Sequence, residues 1–389
     1  MDFDEIIDRR GTHSQKWDAM GRACGVTADD ALPMWVADMD FRPPAPVTDA
    51  LQRMIDVGVH GYFGDDSEWR AAVRWWMETR HGWAPDPAHL FAVNGLVNGT
   101  ALCVDAFTAP GDAVVLMTPV YHAFFRVLEA AEREIRELPL RLDGDRYAMD
   151  FARWEGMMTG RERMLLLCSP HNPGGRVWSR AELAQVAEFA RRHDLIVVSD
   201  EIHHDLVLPG HRHTPMALID GVSDRLVTMM SATKSFNLAG AHLGCMSVED
   251  PALRRRLAHR IKALGISPNA FGMHMSTAAY SPAGAAWIDA LMAYLDDSRQ
   301  LFDAAVAGIP GALSHRLEGT YLSWVDFAGT GLPPDEVLER VQGRARIAVN
   351  RGPTFGTGGE SCLRFNIATP RSRVAEAADR LGEAFSDLC

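Results

Sequence analysis

The chain has 389 residues, of which 47% are hydrophobic, and its formal net charge at pH 7 is −12. This length allows two or three domains with sizeable cores, and the acidic balance argues against a partner with a phosphate backbone such as nucleic acid. The six cysteines form no CxxC pair, which fits reduced thiols better than disulfides or a zinc site. The N-terminus MDFDE is acidic and the chain has no run of about 18 apolar residues, so we expect a cytoplasmic protein without membrane segments.

The first part of the chain predicts an N-terminal arm followed by helices. We expect residues 1–45 to form an arm that joins a small domain near the C-terminus. The stretch SEWRAAVRWWMETRHGW (67–83) has helical spacing, and its tryptophans are expected in the core or at a subunit interface.

From about residue 90 to residue 250, short apolar runs alternate with helical patterns. The runs DAVVLMTP, RMLLLCSP, DLIVVSDE, RLVTMMSAT and HLGCMSVED indicate strands buried on both faces of a largely parallel sheet. Between two of them, SRAELAQVAEFARRHD predicts a helix with Ser179 as N-cap and Glu182 three residues later, a capping box. This alternation predicts a large α/β domain over residues 46–285.

The pattern changes after about residue 285. A long helical segment (AAWIDALMAYLDDSRQLFDAAVAG) precedes hairpin-like strands in GTYLSWVDF, RIAVNRGPTFG and CLRFNIAT, and a helix closes the chain. This order predicts a smaller α+β domain over residues 286–389.

Polar side chains stand directly after several of the apolar runs. Tyr121, Asn172 and Asp200 each follow one run, and Ser231 and Lys234 follow another. Because ligands of an open parallel sheet bind beyond the carboxyl ends of its strands, we expect these side chains to meet. A partly desolvated lysine amine has a lowered pKa and can attack a carbonyl carbon, so Lys234 is the expected nucleophile.

Six motifs in this order resemble the pyridoxal-phosphate enzymes of the aspartate aminotransferase superfamily, which comprises the class I and II aminotransferases, over nearly the whole chain. They are NGLVNG, TPVY, SPHNPGG, SDEIHHDL, SATKSFNLAG and LRFNIA. The resemblance implies the fold type I architecture, in which a mainly parallel seven-stranded sheet lies between helices and a smaller α+β domain follows. It also implies pyridoxal 5′-phosphate as cofactor and an amino acid as substrate.

The resemblance assigns catalytic roles to Lys234, Tyr121 and Asp200. Lys234 would form the Schiff base with the cofactor and remove the substrate Cα proton. Asp200 would pair with the ring nitrogen, which keeps the ring able to accept electrons. Tyr121 would stack on the ring, and Asn172 would hydrogen-bond the ring 3′-oxygen and contact the substrate. His203 would complete the cofactor pocket.

The resemblance also assigns the groups that bind anions. The backbone of Gly95, Leu96 and Val97, at a helix N-terminus, would hold the cofactor phosphate together with Ser231. Arg364 would bind the substrate α-carboxylate through a two-pronged ion pair.

Two further positions bear on how the phosphate is held. Tyr62 would reach the phosphate of a partner subunit, which implies a homodimer. His242, eight residues after Lys234, stands where aminotransferases place a phosphate-binding arginine, so phosphate binding is expected to be weaker or shared with Tyr62.

The arm sequence LPMWVADMDFRPPAPV (32–47) closely resembles the N-terminal signature of the MalY/PatB-type cystathionine β-lyases, and His203 stands where aminotransferases usually have a tyrosine. This implies a carbon–sulfur β-lyase that cleaves L-cystathionine or related S-substituted L-cysteines to a thiol, pyruvate and ammonia. Trp35 and Asp38 are expected to contribute to substrate binding, or to pack structurally over the pocket.

Two other functions stay open. An aminotransferase of the same fold would need a 2-oxo acid acceptor, and a regulatory protein of this fold would be expected to lack a catalytic group. The histidines of HHDLVLPGHRH fit no zinc pattern, so no metal site is expected there.

Overall fold

The computed structural model describes residues 1–388, so the predicted end of the small domain at residue 389 lies outside the described residues. The strands are β1 (Leu32–Pro33), β2 (Leu90–Val93), β3 (Ala113–Leu116), β4 (Glu134–Glu137), β5 (Arg141–Asp143), β6 (Arg146–Ala148), β7 (Glu162–Cys168), β8 (Ile196–Asp200), β9 (Leu226–Met230), β10 (Gly244–Ser247), β11 (Leu313–Ser314), β12 (Leu322–Asp326), β13 (Ile347–Ala348), β14 (Asn350–Arg351) and β15 (Cys362–Asn366). The α-helices are α1 (Gln15–Asp18), α2 (Met20–Cys24), α3 (Ala45–Val57), α4 (Ser67–His81), α5 (Leu96–Phe107), α6 (His122–Ala130), α7 (Phe151–Glu155), α8 (Arg180–Arg192), α9 (Ala232–Ser235), α10 (Pro251–Ala263), α11 (Ala270–Ala279), α12 (Pro282–Ala307), α13 (Pro334–Leu338) and α14 (Arg371–Ala384).

A seven-stranded sheet forms the centre of the molecule, in the order β2-β10-β9-β8-β7-β3-β4. Strands β9, β8, β7, β3 and β4 run parallel to one another. Side chains of β7 alternate between two hydrophobic clusters: Leu165 packs with α8, and Leu166 packs with α5 and α10. Burial on both faces explains why these strands read as uninterrupted apolar runs.

Strand β10 departs from the parallel pattern. The run HLGCMSVED was expected in a largely parallel sheet, and β10 pairs antiparallel with both β2 and β9. The connection from Met230 to Gly244 contains only α9 and a short 3₁₀ turn. It holds no helix that crosses the sheet face, so the chain returns from the same edge of the sheet and runs in the opposite direction.

Local sequence signals fix helix α8. Ser179 accepts a hydrogen bond from the Glu182 backbone N–H, and the Glu182 side chain accepts one from the Ser179 backbone, so the predicted capping box is confirmed. Helix α4 occupies the predicted tryptophan-rich segment, where Trp69 and Trp76 are buried and Trp75 is exposed.

A second, antiparallel sheet lies in the C-terminal part, in the order β11-β12-β15-β14. Helices α12 and α14 pack on each other, and Phe302 of α12 contacts Phe365 of β15. The N-terminal arm joins this part through β1, which pairs parallel with β13. No helix among residues 1–388 has the length and apolar character needed to span a membrane.

Candidate functional site

The carboxyl ends of β7, β8 and β9 bring the predicted polar residues to one edge of the large sheet. Cys168, the last residue of β7, lies opposite Asp200, the last residue of β8, and Asp200 lies opposite Met229 of β9. Asn172 follows β7 by four residues, and Lys234 lies on the short helix α9 that follows β9. The charges of Lys234 and Asp200 shift each other's pKa, so the two groups face the same space.

Lys234 presents its amine to the N-terminal arm. Its Nζ donates a hydrogen bond to the backbone carbonyl of Ala37 at 2.5 Å. Burial lowers the pKa of Lys234 to about 8, with Arg364 adding to the effect and Asp38 opposing it. A large fraction of the amine is therefore neutral near pH 8, which is the state that attacks a carbonyl.

Asp200 is a buried carboxyl group that forms no salt bridge among residues 1–388, although the charge of Lys234 acts on it from a greater distance. Its Oδ1 accepts the backbone N–H of Ile202 at 3.1 Å. Burial raises the pKa of Asp200 to about 7, although the Ile202 hydrogen bond opposes the shift. A cationic ring nitrogen would supply the missing partner, so this acid fits the expected cofactor.

Arg364 is a buried guanidinium on β15 that touches only neutral groups. Its Nη1 donates to Asn172 Oδ1 at 2.9 Å, and its Nη2 donates to Trp35 O at 2.9 Å and to Asn350 Oδ1 at 2.6 Å. Its Nε has no hydrogen-bond partner in the described structure. The guanidinium also lies over the ring of Phe355. Burial lowers the pKa of Arg364 to about 10. A buried cation without a counter-ion is suited to bind a carboxylate.

The N-terminus of α5 fits a phosphate. Gly95 caps this helix with a φ of 86°, a conformation that favours glycine, and open space surrounds the position of its missing Cβ. Leu96 and Val97 form the first turn, where backbone N–H groups lack partners within the helix. These donors and the helix dipole suit an anion of charge about −2.

Two other residues belong to the expected phosphate site, but their surroundings do not by themselves indicate a phosphate. The Ser231 hydroxyl donates to Leu243 O at 2.6 Å and lies 2.8 Å from Thr233 Oγ1, so its own loop engages it. His242 is exposed and has a φ of 46°. The phosphate contacts of Ser231 and the effect of His242 stay predictions.

Aromatic rings and imidazoles line the remainder of the site. Tyr121 lies just before α6, with its ring edge-on to His122 at 5.0 Å, and burial raises the pKa of its hydroxyl. His203 is buried, its ring lies edge-on to Tyr321 at 6.0 Å, and burial holds its pKa well below the usual value. His203 is therefore neutral, and its Nδ1 has no partner in the described chain.

The arm reaches the site through its backbone. Trp35 donates its indole N–H to Lys16 O at 2.9 Å, and the carboxylate of Asp38 forms a two-pronged ion pair with Arg9, at 3.2 and 2.9 Å. The structure thus places the carbonyls of Trp35 and Ala37, rather than the side chains of Trp35 and Asp38, against Arg364 and Lys234.

Three polar residues that the sequence analysis missed hold this arm. Tyr321 donates its hydroxyl to Ala37 O at 3.0 Å, and Asn366 donates to the carbonyls on either side of Ala37, both at 2.6 Å. Asn237 exchanges two hydrogen bonds with the backbone of Met39. Asn237 and Asn366 lie inside the quoted motifs SATKSFNLAG and LRFNIA, which was the available signal.

Two of the histidines after β8, His204 and His213, contact protein groups. The Nδ1 of His204 lies 2.6 Å from Glu201 O, and His213 lies 2.9 Å from Glu201 Oε2. Asp205 contacts His204 at 3.1 Å and accepts the hydroxyl of Ser235, the neighbour of Lys234, at 2.6 Å. This buried network supports the helix that carries the lysine.

Tyr62 lies apart from the residues described above. Its side chain is fully exposed, on a segment without regular secondary structure, and no hydrogen bond or ring contact in the described structure joins it to the site. It borders a surface pocket that also includes Val59, Phe63 and His274.

Comparisons with known proteins agree with the motifs. A family model for aminotransferase class I and II matches residues 36–381. The chain is 37% identical to the cystathionine β-lyase PatB of Bacillus subtilis (strain 168), over 99% of this chain and 100% of that protein. It is 30% identical to protein MalY of Escherichia coli (strain K12), over 96% of each. It is also similar to the crystal structure of cystalysin from Treponema denticola, which contains pyridoxal 5′-phosphate: the TM-score is 0.95 and the identity 32%, over 100% of this chain and 99% of that one. These similarities confirm the predicted fold class, and the chain belongs to the aminotransferase class I and II family.

Proposed function

We propose that this protein is a pyridoxal-phosphate-dependent carbon–sulfur β-lyase that acts on L-cystathionine or related S-substituted L-cysteines. The observation that carries the proposal is the set of groups around one space: the Lys234 amine, the unpaired acid Asp200, and the buried cation Arg364 under the arm WVADMDF. The name of the relative PatB, a cystathionine β-lyase, and the pyridoxal 5′-phosphate in the cystalysin structure support it.

The protein's own residues account for binding and orientation. Arg364 would bind the substrate α-carboxylate, which removes the cost of its buried, uncompensated charge. Asp200 and Asn172 would orient the cofactor ring from β8 and from the segment after β7, and Tyr121 would cover one ring face. Bound pyridoxal phosphate would supply an aldehyde to capture the substrate's amino group and a ring that draws electrons from Cα.

Lys234 would move the proton that the elimination requires. With a pKa of about 8, its amine can take the proton from Cα and then give it to the departing sulfur. The Cβ–S bond breaks, the sulfur leaves as a thiol, and hydrolysis converts the three-carbon remainder to pyruvate and ammonia. His203, neutral in its buried position, adds no positive charge beside this amine.

The runner-up is an aminotransferase of the same fold, which the family's description keeps open. The two functions differ in what happens after loss of the Cα proton. A transaminase returns the proton to the cofactor and needs a 2-oxo acid to turn over again.

The deciding experiment follows pyruvate and cofactor absorbance with L-cystathionine and with L-cysteine, in the absence of any 2-oxo acid. Continuous pyruvate formation with the starting spectrum restored supports the lyase, and Lys234→Ala should form none. A single stoichiometric conversion to the pyridoxamine form that resumes only with a 2-oxo acid would establish a transaminase. No pyruvate from any S-substituted cysteine would refute the lyase.

We further propose a homodimer in which Tyr62 completes the partner's phosphate site. The exposed Tyr62, Val57 and Val59 and the exposed Phe271 on α11 support a subunit contact. Tyr62→Ala, which should impair cofactor binding, and the inactive Lys234→Ala test this when mixed at limiting pyridoxal phosphate, because one site of the mixed dimer would combine an intact lysine with an intact tyrosine. Regained activity is expected, and its absence in a verified mixed dimer would contradict the shared site.

The domain limits 1–45, 46–285 and 286–389 and the cytoplasmic location stay predictions. Pairing of β1 with β13 supports the assignment of the arm to the smaller domain.

A further inference from the structure

Three side chains with metal-binding chemistry meet on the small sheet, away from the lysine. His315 directly follows β11, Asp326 ends β12 and Cys362 begins β15. Asp326 and Cys362 are direct partners across the antiparallel pair, and the backbone N–H of His315 donates to Trp324 O on β12. One ligand atom from each of the three side chains lies within 4.8 Å of the other two.

His315 is the feature that needs an explanation. The residue is 2% exposed, and neither ring nitrogen makes a hydrogen bond of good geometry in the described structure. The backbone of Asp145 lies near enough to oppose the lowering of the imidazole pKa by burial. The ring stacks on Tyr147 of β6 at 5.1 Å, which fixes its plane and satisfies neither nitrogen. A buried polar group without a partner is destabilising, and in a native protein it calls for an explanation such as a bound ion or water.

We propose that His315, Asp326 and Cys362 form a binding site for a divalent transition metal of the zinc type. Imidazole, thiolate and carboxylate are the ligands that Zn²⁺ prefers, whereas Ca²⁺ and Mg²⁺ require oxygen ligands. Three protein ligands leave the fourth tetrahedral position for water. On binding, the metal replaces the thiol proton of Cys362, and this proton passes to solvent.

The surroundings of Asp326 support such a site. Its Oδ1 accepts hydrogen bonds from Ala328 N at 2.9 Å and Ser361 Oγ at 2.6 Å, which orient the carboxylate as outer partners of a metal ligand do. Asp326 is partly exposed, while His315 and Cys362 are buried, so a metal could enter from its side.

A second histidine cluster is a weaker candidate. His81, His204 and Asp205 also lie within metal-binding reach of one another, and all three are buried. There, however, Asp205 accepts hydrogen bonds from Trp76 Nε1 and Ser235 Oγ and contacts both imidazoles, so protein groups already satisfy it. This is the reason for assigning the metal to the sheet cluster.

The proposed metal would join three strands on the face that carries Arg364. Cys362 and Arg364 are two residues apart on β15, so they lie on the same face. The sequence analysis expected no metal because it found no CxxC pair and no zinc pattern among the histidines after β8. It did not consider positions 315, 326 and 362, which lie far apart in the sequence and form no local motif. The proposal is independent of the proposed lyase function.

The test uses the cofactor-loaded protein, dialysed against a chelator and then titrated with Co²⁺ alone or Zn²⁺ alone. We expect one Co²⁺ per chain, with the visible d–d absorption of a tetrahedral thiolate site at longer wavelength than the cofactor absorbs, and its displacement by Zn²⁺. Cys362→Ser should abolish this absorption. Asp326→Asn should weaken Zn²⁺ binding at least about tenfold, since even outer partners of a metal ligand contribute about 10- to 100-fold to affinity.

The matched control is Cys24→Ser, a half-buried thiol elsewhere that should leave the absorption and the Zn²⁺ affinity unchanged. If Cys362→Ser does not fold, Asp326→Asn carries the test, because its side chain is partly exposed and its shape is kept. The proposal is overturned if the wild-type protein binds no Co²⁺. It is equally overturned if Cys362→Ser or Asp326→Asn binds the metal as tightly as wild type, which would place the ion at another site.

Discussion

Replacing Asp40 by asparagine should strongly destabilise the protein, because it leaves a buried lysine without its counter-ion. The Asp40 side chain is 1% exposed and that of Lys16 is 0% exposed, with Nζ 2.8 Å from Oδ2. Arg9 Nη1 and Trp17 Nε1 also donate to Asp40 Oδ1, each at 2.9 Å. Breaking one partner of a buried ion pair costs about 3–5 kcal/mol. We expect about 3 kcal/mol, since Asp38 Oδ1 remains 3.8 Å from Lys16.

The assay is thermal and urea-induced unfolding of Asp40→Asn, with hydrogen exchange of residues 35–41 to report on the arm. Adding Lys16→Met removes the unpaired charge, so the double variant should recover much of the lost stability. The matched surface control is Arg42→Gln, which breaks the exposed pair with Glu5 and should cause no measurable change. Wild-type stability of Asp40→Asn, or a double variant less stable than the single one, would refute the reasoning.

Three further outcomes follow from the pKa values and contacts. Burial opposes ionisation of Asp40, but the charge of Lys16 outweighs it and lowers the pKa of Asp40. The ionised Asp40 therefore contributes its full stabilisation above its unfolded pKa of about 4, and this contribution is lost as the pH falls below that value. Thermal scans from neutral to acidic pH should show a steeper loss of stability in wild type than in the Asp40→Asn/Lys16→Met variant. Asp200→Asn should raise the apoprotein's stability at pH 8 by up to about 4 kcal/mol, because burial raises the pKa of Asp200 from 3.8 to about 7 and disfavours its charged form. The same variant should form no pyruvate. An unchanged unfolding midpoint would contradict the cost of burying the charged carboxylate. The rate at which the apoprotein captures an aldehyde should be half-maximal near pH 8, from the Lys234 pKa of about 8, rather than near about 10 as for an ordinary lysine; a midpoint near pH 10 would contradict its burial. 

The strands of the large sheet could be predicted because their burial leaves a direct mark on the sequence. The run before Asp200 and the run before Ser231 are apolar throughout, and both are central parallel strands. The direction of β10 could not be read in the same way, since it depends on the path of the connection rather than on the composition of the run.

The meeting of the candidate side chains could be predicted from the sequence. Lys234, Asp200 and Arg364 belong to short motifs at strand ends or on strands, and each motif can be recognised without knowledge of the rest of the fold. Ala37 was not predictable, because it acts through a backbone carbonyl that every residue type possesses. The ion pair of Asp38 with Arg9 could not be predicted either, since Arg9 lies 29 residues earlier and no spacing rule joins the two residues.

The arm carbonyls also set the order in which the site can form during synthesis. Trp35 leaves the ribosome early, but its carbonyl binds Arg364, which is 329 residues further along the chain. At about 5–20 residues per second, the arm waits roughly 15 to 65 s for this partner. The nascent large domain can therefore fold around Lys234 before Arg364, the proposed carboxylate-binding residue, has been made. Under the proposed function, a partial chain that lacks Arg364 would not bind the substrate carboxylate.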